Sequence, residues 1–329
     1  MDEMLSKVAA AWGLKDVCPL AGDAGTRKYF RAARRGEGPA VVVLYDDARQ
    51  GADDPFMDFL SLRAYLEPLL RVPKLYECDE NARAMLLEDL GDASLEGRLT
   101  LFPSEEKHWA AKAAWELSHW VGPLTVAMPE GAAFARRSFD AEKYDFEWAF
   151  CAQHFFNGLL RKNPPLWLDR MMGQVRDFLA PRAKYLAHRD FHVRNLMVCG
   201  DRLATIDFQD ARMGPGTYDL ASIMFDSYWD WGHGASEALA AKVKKTLGMG
   251  DADFWGELTH VGLQRNFKAL GTFAYQMLQK GNFRYSTAVP RALGHIQGHF
   301  ERLAHGEGSI QARNWQRAAL DMMQKAIDR

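Results

Sequence analysis

The chain has 329 residues, with 41 Lys plus Arg against 43 Asp plus Glu and a formal net charge of −2. That length supports a sizeable core in two domains or one two-lobed unit, and the near balance of charge excludes a surface built for nucleic acid or acidic membrane. Four scattered cysteines (Cys18, Cys78, Cys151, Cys199) have no paired spacing, which argues against a zinc site or disulfide framework and suits a reducing compartment.

Asp2 to Trp12 reads as an amphipathic helix with Met4, Leu5, Val8 and Trp12 on one face. Acids in Met1-Asp2-Glu3-Met4 stand where a secretory signal carries positive charge, and the longest apolar run, Ala40 to Leu44, is far too short for a bilayer. A cytoplasmic protein is expected. Gly22 to Gly25 reads as a turn between Val17-Cys18-Pro19-Leu20 and Lys28-Tyr29-Phe30-Arg31. Arg34 to Gly38 turns into Ala40-Val41-Val42-Val43-Leu44-Tyr45, a strand of the fully buried type. Pro55 to Leu70 is helical, and Arg83 to Leu87 is a strand. After Gly91 the 3.6-residue period dominates, over Pro103 to Val121, Asp140 to Leu160 and Pro164 to Leu179. It returns over Ser236 to Leu247, Asp253 to Gln279, Val289 to Leu303 and Ile310 to Ala326. No internal repeat or low-complexity segment interrupts this order.

The most informative stretch is His188-Arg189-Asp190-Phe191-His192-Val193-Arg194-Asn195, followed by Ile206-Asp207-Phe208. It supplies a carboxylate, a carboxamide shortly after, and a second carboxylate ending an apolar run. Phosphoryl transfer from ATP needs these parts: one acid to orient and deprotonate the attacking hydroxyl, and an amide oxygen with another carboxylate to hold Mg²⁺. Leu196 to Cys199 and Leu203 to Ile206 read as strands around a Gly200-Asp201 turn. That hairpin returns Asp207 beside Asn195, where two oxygen ligands suffice for a cation that keeps waters and phosphates. A plain polar loop with helix-capping acids is the ordinary alternative.

His-x-Asp-x-x-x-x-Asn followed by Ile-Asp-Phe resembles the catalytic core of the aminoglycoside phosphotransferase superfamily, whose fold is protein-kinase-like. Longer segments resemble its branch of anomeric sugar kinases acting on N-acetylmuramate and N-acetylglucosamine: Ala21 to Arg31, Leu86 to Asp92, Ile206 to Ala211, Gly214 to Leu220, and Gln264 to Gly271. The resemblance implies an α+β two-lobed fold. A nucleotide-binding lobe would span 1–87, a hinge 88–91, and a helical lobe with the catalytic loop and acceptor site 92–329.

What the resemblance implies for single residues follows the same order. Gly22, Gly25, Thr26 and Arg27 would form the loop over the nucleotide phosphates; on the residues alone a hairpin turn serves as well. The strand Val41 to Tyr45 lacks the lysine that most kinases carry for the α- and β-phosphates, so Arg27, Lys28 or Arg31 would supply that charge. Glu88 and Leu90 would present main-chain groups to adenine, although a simple connector would read the same. Asp219 would start a helix and, with His188, support the catalytic loop.

Glu147, His192, Arg194, Gln209 and Asp210 are the candidates for binding the acceptor, with a solvated helix face the ordinary alternative for Glu147. Trp148, Phe150, Phe155 and Phe156 read as core. Phe225 stands where the sugar-kinase branch often has an arginine before the aspartate, a loss that favours a neutral sugar. Together these features imply an ATP- and Mg²⁺-dependent kinase with a small sugar substrate, acting in cell-wall sugar recycling. No nucleic acid, membrane or obligatory protein partner is expected. An aminoglycoside or other small-molecule hydroxyl phosphotransferase and a nucleotide-binding pseudokinase are the rivals. Only nine residues separate Phe208 from Tyr218, too few for an activation segment that holds a peptide.

Overall fold

The computed structural model describes residues 3–20, 27–45, 54–121 and 132–327. Gly22, Gly25 and Thr26 of the expected phosphate loop lie outside them. Helix α1 (Glu3–Ala11) precedes a five-stranded antiparallel sheet of order β1-β2-β3-β5-β4: β1 (Lys15–Pro19), β2 (Arg27–Arg34), β3 (Gly38–Tyr45), β4 (Leu75–Asp79) and β5 (Ala84–Glu88). Strand alternation sorts the side chains. Ala40, Val42 and Leu44 face α1 with Ala32, Leu5 and Val8 in a small core, while Val43 and Tyr45 join the main core behind the sheet. Burial on both faces explains the unbroken apolar run of β3. Met4 is exposed, and Ala9 is buried in its stead.

Helix α2 (Pro55–Leu66) starts where Asp54 accepts a hydrogen bond from the Phe56 N–H at 2.9 Å, with proline in the first turn. It stops four residues short of the expected Leu70. Arg83 clamps the Asp54 carboxylate with two hydrogen bonds (2.7 and 2.8 Å), so the cap also ties the helix to β5.

The rest is mainly helical: α3 (Leu95–Leu101), α4 (Glu106–Trp120), α5 (Ala133–Arg136), α6 (Ala141–Cys151) and α7 (Leu166–Leu179) precede the catalytic segment. Two short hairpin-like pairs follow, β6 (Tyr185–Ala187) with β9 (Arg212–Gly214) and β7 (Leu196–Cys199) with β8 (Arg202–Thr205). Then come α8 (Tyr218–Met224), α9 (His233–Leu247), α10 (Asp251–Lys280), α11 (Val289–Arg302) and α12 (Gly306–Ile327). A small sheet lobe followed by a larger helical one is the kinase-like arrangement the motifs imply. No described helix is long and apolar enough to cross a membrane.

Two departures from the sequence reading bear on the site. The expected single helix over Asp140 to Leu160 changes to a π-helix at Ala152–Leu160; its wider turn lets Phe155, Phe156, Leu159 and Leu160 all reach the core. Strand β9 occupies the segment between Phe208 and Tyr218 and pairs with β6, so the chain returns at once to the strand that leads into the catalytic loop. Helix α10 runs through the middle of the helical lobe, crossing α6 at Gly271. A Cβ there would lie 2.7 Å from the Cys151 Cα, so only glycine allows that approach.

Candidate active site

The catalytic segment joins β6 to β7, and its shape rests on the carboxylate of Asp219 in the first turn of α8. Oδ2 accepts from the His188 N–H at 2.7 Å and Oδ1 from the Arg189 N–H at 3.0 Å. Arg189 has φ 81°, a left-handed conformation that a long side chain adopts only when neighbours impose it. Its carbonyl accepts from the Arg265 guanidinium and from the Ser222 hydroxyl, which lies 3.3 Å away. The buried His188 ring bonds the Ile206 carbonyl through Nε2 at 2.9 Å, linking the segment to the end of the β7–β8 hairpin. These bonds leave the Asp190 carboxylate projecting into the cleft.

Asp190 accepts a hydrogen bond from Lys268 Nζ at 2.7 Å. Burial alone would raise its pKa, but the cations of Lys268, Arg189 and Arg265 outweigh that and hold it well below the usual carboxylate range. The carboxylate is therefore an anion throughout the neutral range. Asn195 donates from Nδ2 to the Asp190 carbonyl at 2.9 Å, which turns its Oδ1 towards the open side. Register in the hairpin pairs Leu196 with Thr205, and the Ile206 N–H reaches the Asn195 carbonyl at 3.0 Å, so Asp207 emerges beside Asn195.

Asp207 sits at φ 61°, with Oδ1 accepting from Gln209 Nε2 at 2.7 Å. Burial pushes its carboxyl pKa up. One carboxylate and one amide oxygen on the same wall are the donor set that Mg²⁺ takes when phosphates and waters complete its shell. Among the described residues no group of three or more His, Cys, Asp or Glu is placed to hold a metal.

Beside these groups lies a cavity of about 260 Å³ lined by Asp190, His192, Arg194, Asn195, Asp207 and residues of α8, α10 and the turn after α8. Burial lowers the His192 pKa to about 3, so the ring is a neutral wall packed edge-on to Tyr228. Arg194 is committed to Glu96 through two hydrogen bonds (2.8 and 2.9 Å) and lies 3.6 Å over the Tyr228 ring, so it braces the aromatic wall.

Glu147, Gln209 and Asp210 do not line this cavity. Glu147 is not on a solvated face either: it is 5 % exposed, between Gln264 (2.7 Å), Lys143 (3.2 Å) and Arg189 (3.7 Å). Its carboxylate neutralises the arginine that precedes Asp190, and Asp210 faces the same arginine at 3.8 Å. Sequence reasoning assigned no role to the far wall of the cavity, which comes from Asp226, Tyr228 and the α10 face carrying Arg265, Lys268 and Thr272. The Gln264 to Gly271 match and the Phe225 position before Asp226 were the two signals that pointed there. Asp226 accepts N–H bonds from Val193 (3.1 Å) and Tyr228 (2.8 Å), and burial pushes its carboxyl up to about 7. Phe225 also lines the cavity, edge-on to the buried His299 ring.

On the nucleotide side the three candidate cations separate. Arg27 lies 3.5 Å from Asp207, on the cleft face of β2. Lys28 alternates to the face that carries Phe30 and Ala32 under α1. Arg31 is taken up by Asp89 (2.6 and 3.1 Å) and Asp92 (2.8 and 3.2 Å), which fastens the sheet to the segment after β5. The Glu88 carboxylate is likewise paired with Arg71, so the side chain there is structural. The Leu90 main chain makes no hydrogen bond to any described residue and is the adenine-facing candidate that stays available. Arg27→Met is expected to raise the KM for ATP about tenfold, the loss of one charge-assisted contact of roughly 1.5 kcal/mol. An unchanged KM in steady-state assays would remove Arg27 from the phosphate site.

A family described as Phosphotransferase enzyme family matches residues 16–258. The N-acetylmuramate/N-acetylglucosamine kinase of Neisseria meningitidis serogroup B is 29% identical over 301 residues, covering 86% of this chain and 85% of that protein. The protein of the same name from Pseudomonas aeruginosa is 27% identical over 300 residues, covering 88% and 86%. Among solved structures, an ADP-bound aminoglycoside phosphotransferase aligns with TM-score 0.59 at 16% identity, covering 89% of this chain and 97% of that one. A choline kinase from Streptococcus pneumoniae aligns with TM-score 0.60 at 14% identity, covering 90% and 97%. With the catalytic loop, the hairpin and the two-lobed fold in place, the chain belongs to the phosphotransferase enzyme family and is an enzyme that transfers a phosphoryl group to a hydroxyl.

Proposed function

We propose that this enzyme is an ATP- and Mg²⁺-dependent sugar kinase. It phosphorylates the anomeric hydroxyl of an N-acetylated amino sugar, N-acetylglucosamine or N-acetylmuramate, in cell-wall sugar recycling. The observation that carries this reading is the Asp190 carboxylate, held ionised at the edge of a cavity of about 260 Å³. That volume lies below the roughly 300–1,000 Å³ of drug-sized sites and suits one sugar ring better than a multi-ring antibiotic. Tyr228 and Phe273 offer flat apolar surface, while Thr272 and Asp226 carry oxygens on the lining. The names of the relatives support the same acceptor class.

In this mechanism Asp190 orients the acceptor hydroxyl and takes its proton as the oxygen attacks the γ-phosphorus. A loose transition state asks little of a base, and an anomeric hydroxyl is more acidic than an ordinary alcohol, so positioning carries most of the rate. Asn195 and Asp207 are the residues that would hold Mg²⁺, which supplies charge neutralisation on the nucleotide phosphates. Arg27 adds a fixed cation from the sheet lobe. An aminoglycoside acceptor fits less well, because the lining sets Arg194, Arg265 and Lys268 against Asp190, Asp207 and Asp226 and lacks the excess of carboxylates that a polycation needs.

The test is ADP release with ATP, Mg²⁺ and single acceptors: N-acetylglucosamine, N-acetylmuramate, glucose and kanamycin. Selective turnover of the N-acetyl sugars is the expected result. Turnover of kanamycin alone would move the enzyme to the antibiotic kinases. Silence with all four alongside measurable ATP binding would favour a pseudokinase.

A further inference from the structure

Lys268 is the cation nearest the Asp190 carboxylate among the described residues, with Nζ 2.7 Å from Oδ1. It comes from α10, 78 residues further along the chain. The two other cations in reach are engaged elsewhere. Arg265 stands 4.0 Å from the same oxygen but donates to the Arg189 carbonyl and lies 5.0 Å over the Tyr218 ring. Arg189 turns back to Glu147 and Asp210. His192, two positions after Asp190, is a neutral ring. Lys268 shares its helix face with Thr272 and Phe273, which line the same cavity, so its stem runs along the acceptor side.

We propose that Lys268 is a positioning residue for phosphoryl transfer, aiming the Asp190 carboxylate at the acceptor hydroxyl and offsetting charge on the phosphoryl group as the proton moves. The inference rests on the kinase reading above. Before transfer, Asp190 is the anion paired with Lys268. In the step, the acceptor oxygen forms a bond to the γ-phosphorus, and the bond from that phosphorus to the bridging oxygen breaks with its electron pair leaving on ADP. The acceptor's proton goes to Asp190. Asp190 is then neutral, and the lysine loses its ionic partner at the moment the product phosphate needs a counter-charge. A compact cation on a flexible stem suits that change of partner better than a rigid guanidinium fork.

The experiment is a double-mutant cycle with Lys268→Met, Asp190→Asn and the pair, alongside Lys268→Arg, read by kcat, KM for ATP and thermal unfolding. Lys268→Met is expected to lower kcat about 100-fold with KM for ATP changed less than about threefold, and Lys268→Arg to recover about tenfold of that loss. Combined with Asp190→Asn, Lys268→Met should cost less than about threefold more, because groups acting as a unit are not additive. Independent, multiplying losses would overturn the proposal. So would a Lys268→Met kcat near wild type, or a loss that tracks the unfolding temperature and is not recovered by arginine. If Asp190→Asn alone is silenced, Lys268 fails and the kinase reading stands. A wild-type enzyme silent with every acceptor overturns both.

Discussion

Asp190→Asn is expected to lower kcat at least about 100-fold, the range lost with a general base, while ATP affinity changes less than about threefold. The amide keeps the size of the side chain but neither accepts the hydroxyl proton nor pairs with Lys268. The nucleotide site stays intact because Asn195 is held through the Asp190 main-chain carbonyl, which the substitution does not touch. Turnover assays with calorimetric ATP titration separate the two quantities. Turnover within tenfold of wild type would sink the assignment of Asp190 as the base.

The second large effect is expected from Asp219→Ala, a residue that meets no substrate. Its carboxylate is 1 % exposed and satisfies the N–H groups of both His188 and Arg189. Removing it orphans two buried donors, at about 1–3 kcal/mol each, and releases the left-handed Arg189. A marked fall in the denaturant midpoint is expected together with a large loss of kcat. Asp219→Asn keeps one acceptor oxygen and should fall between the two. If Asp219→Ala lowered stability but left kcat unchanged, the loop would hold its shape without this carboxylate.

The catalytic segment was legible because its chemistry is local. Asp190, Asn195 and Asp207 are close in sequence, and the Gly200 turn between two apolar runs dictates the hairpin that joins them. The helix over Val289–Arg302 was legible from period, since it buries one stripe, and that over Asp251–Lys280 from its length, since it is buried on most sides. The setting of Glu147 was not legible because burial cannot be seen along a helix: the cations around it are Lys268, Arg189 and Lys143, and only Lys143 is near in sequence. Arg31 was offered as a phosphate cation for the same reason, its partners Asp89 and Asp92 being 58 and 61 residues away. The short strands of β6 and β9 carry too few residues for any pattern, and their pairing depends on distant contacts. The α10 wall of the cavity was invisible because Lys268 reaches its partner across 78 residues.

The face of α10 that carries Arg265, Lys268 and Thr272 is one uninterrupted stretch of chain, pinned against α6 where Gly271 meets Cys151. Cavity wall and loop are thus one construction: the same helical turns that close the cavity also hold Asp190 and the Arg189 carbonyl. A change at Arg265 or Lys268 therefore reaches the loop as well as the cavity, whereas Thr272 bonds back to its own helix and lines the cavity alone.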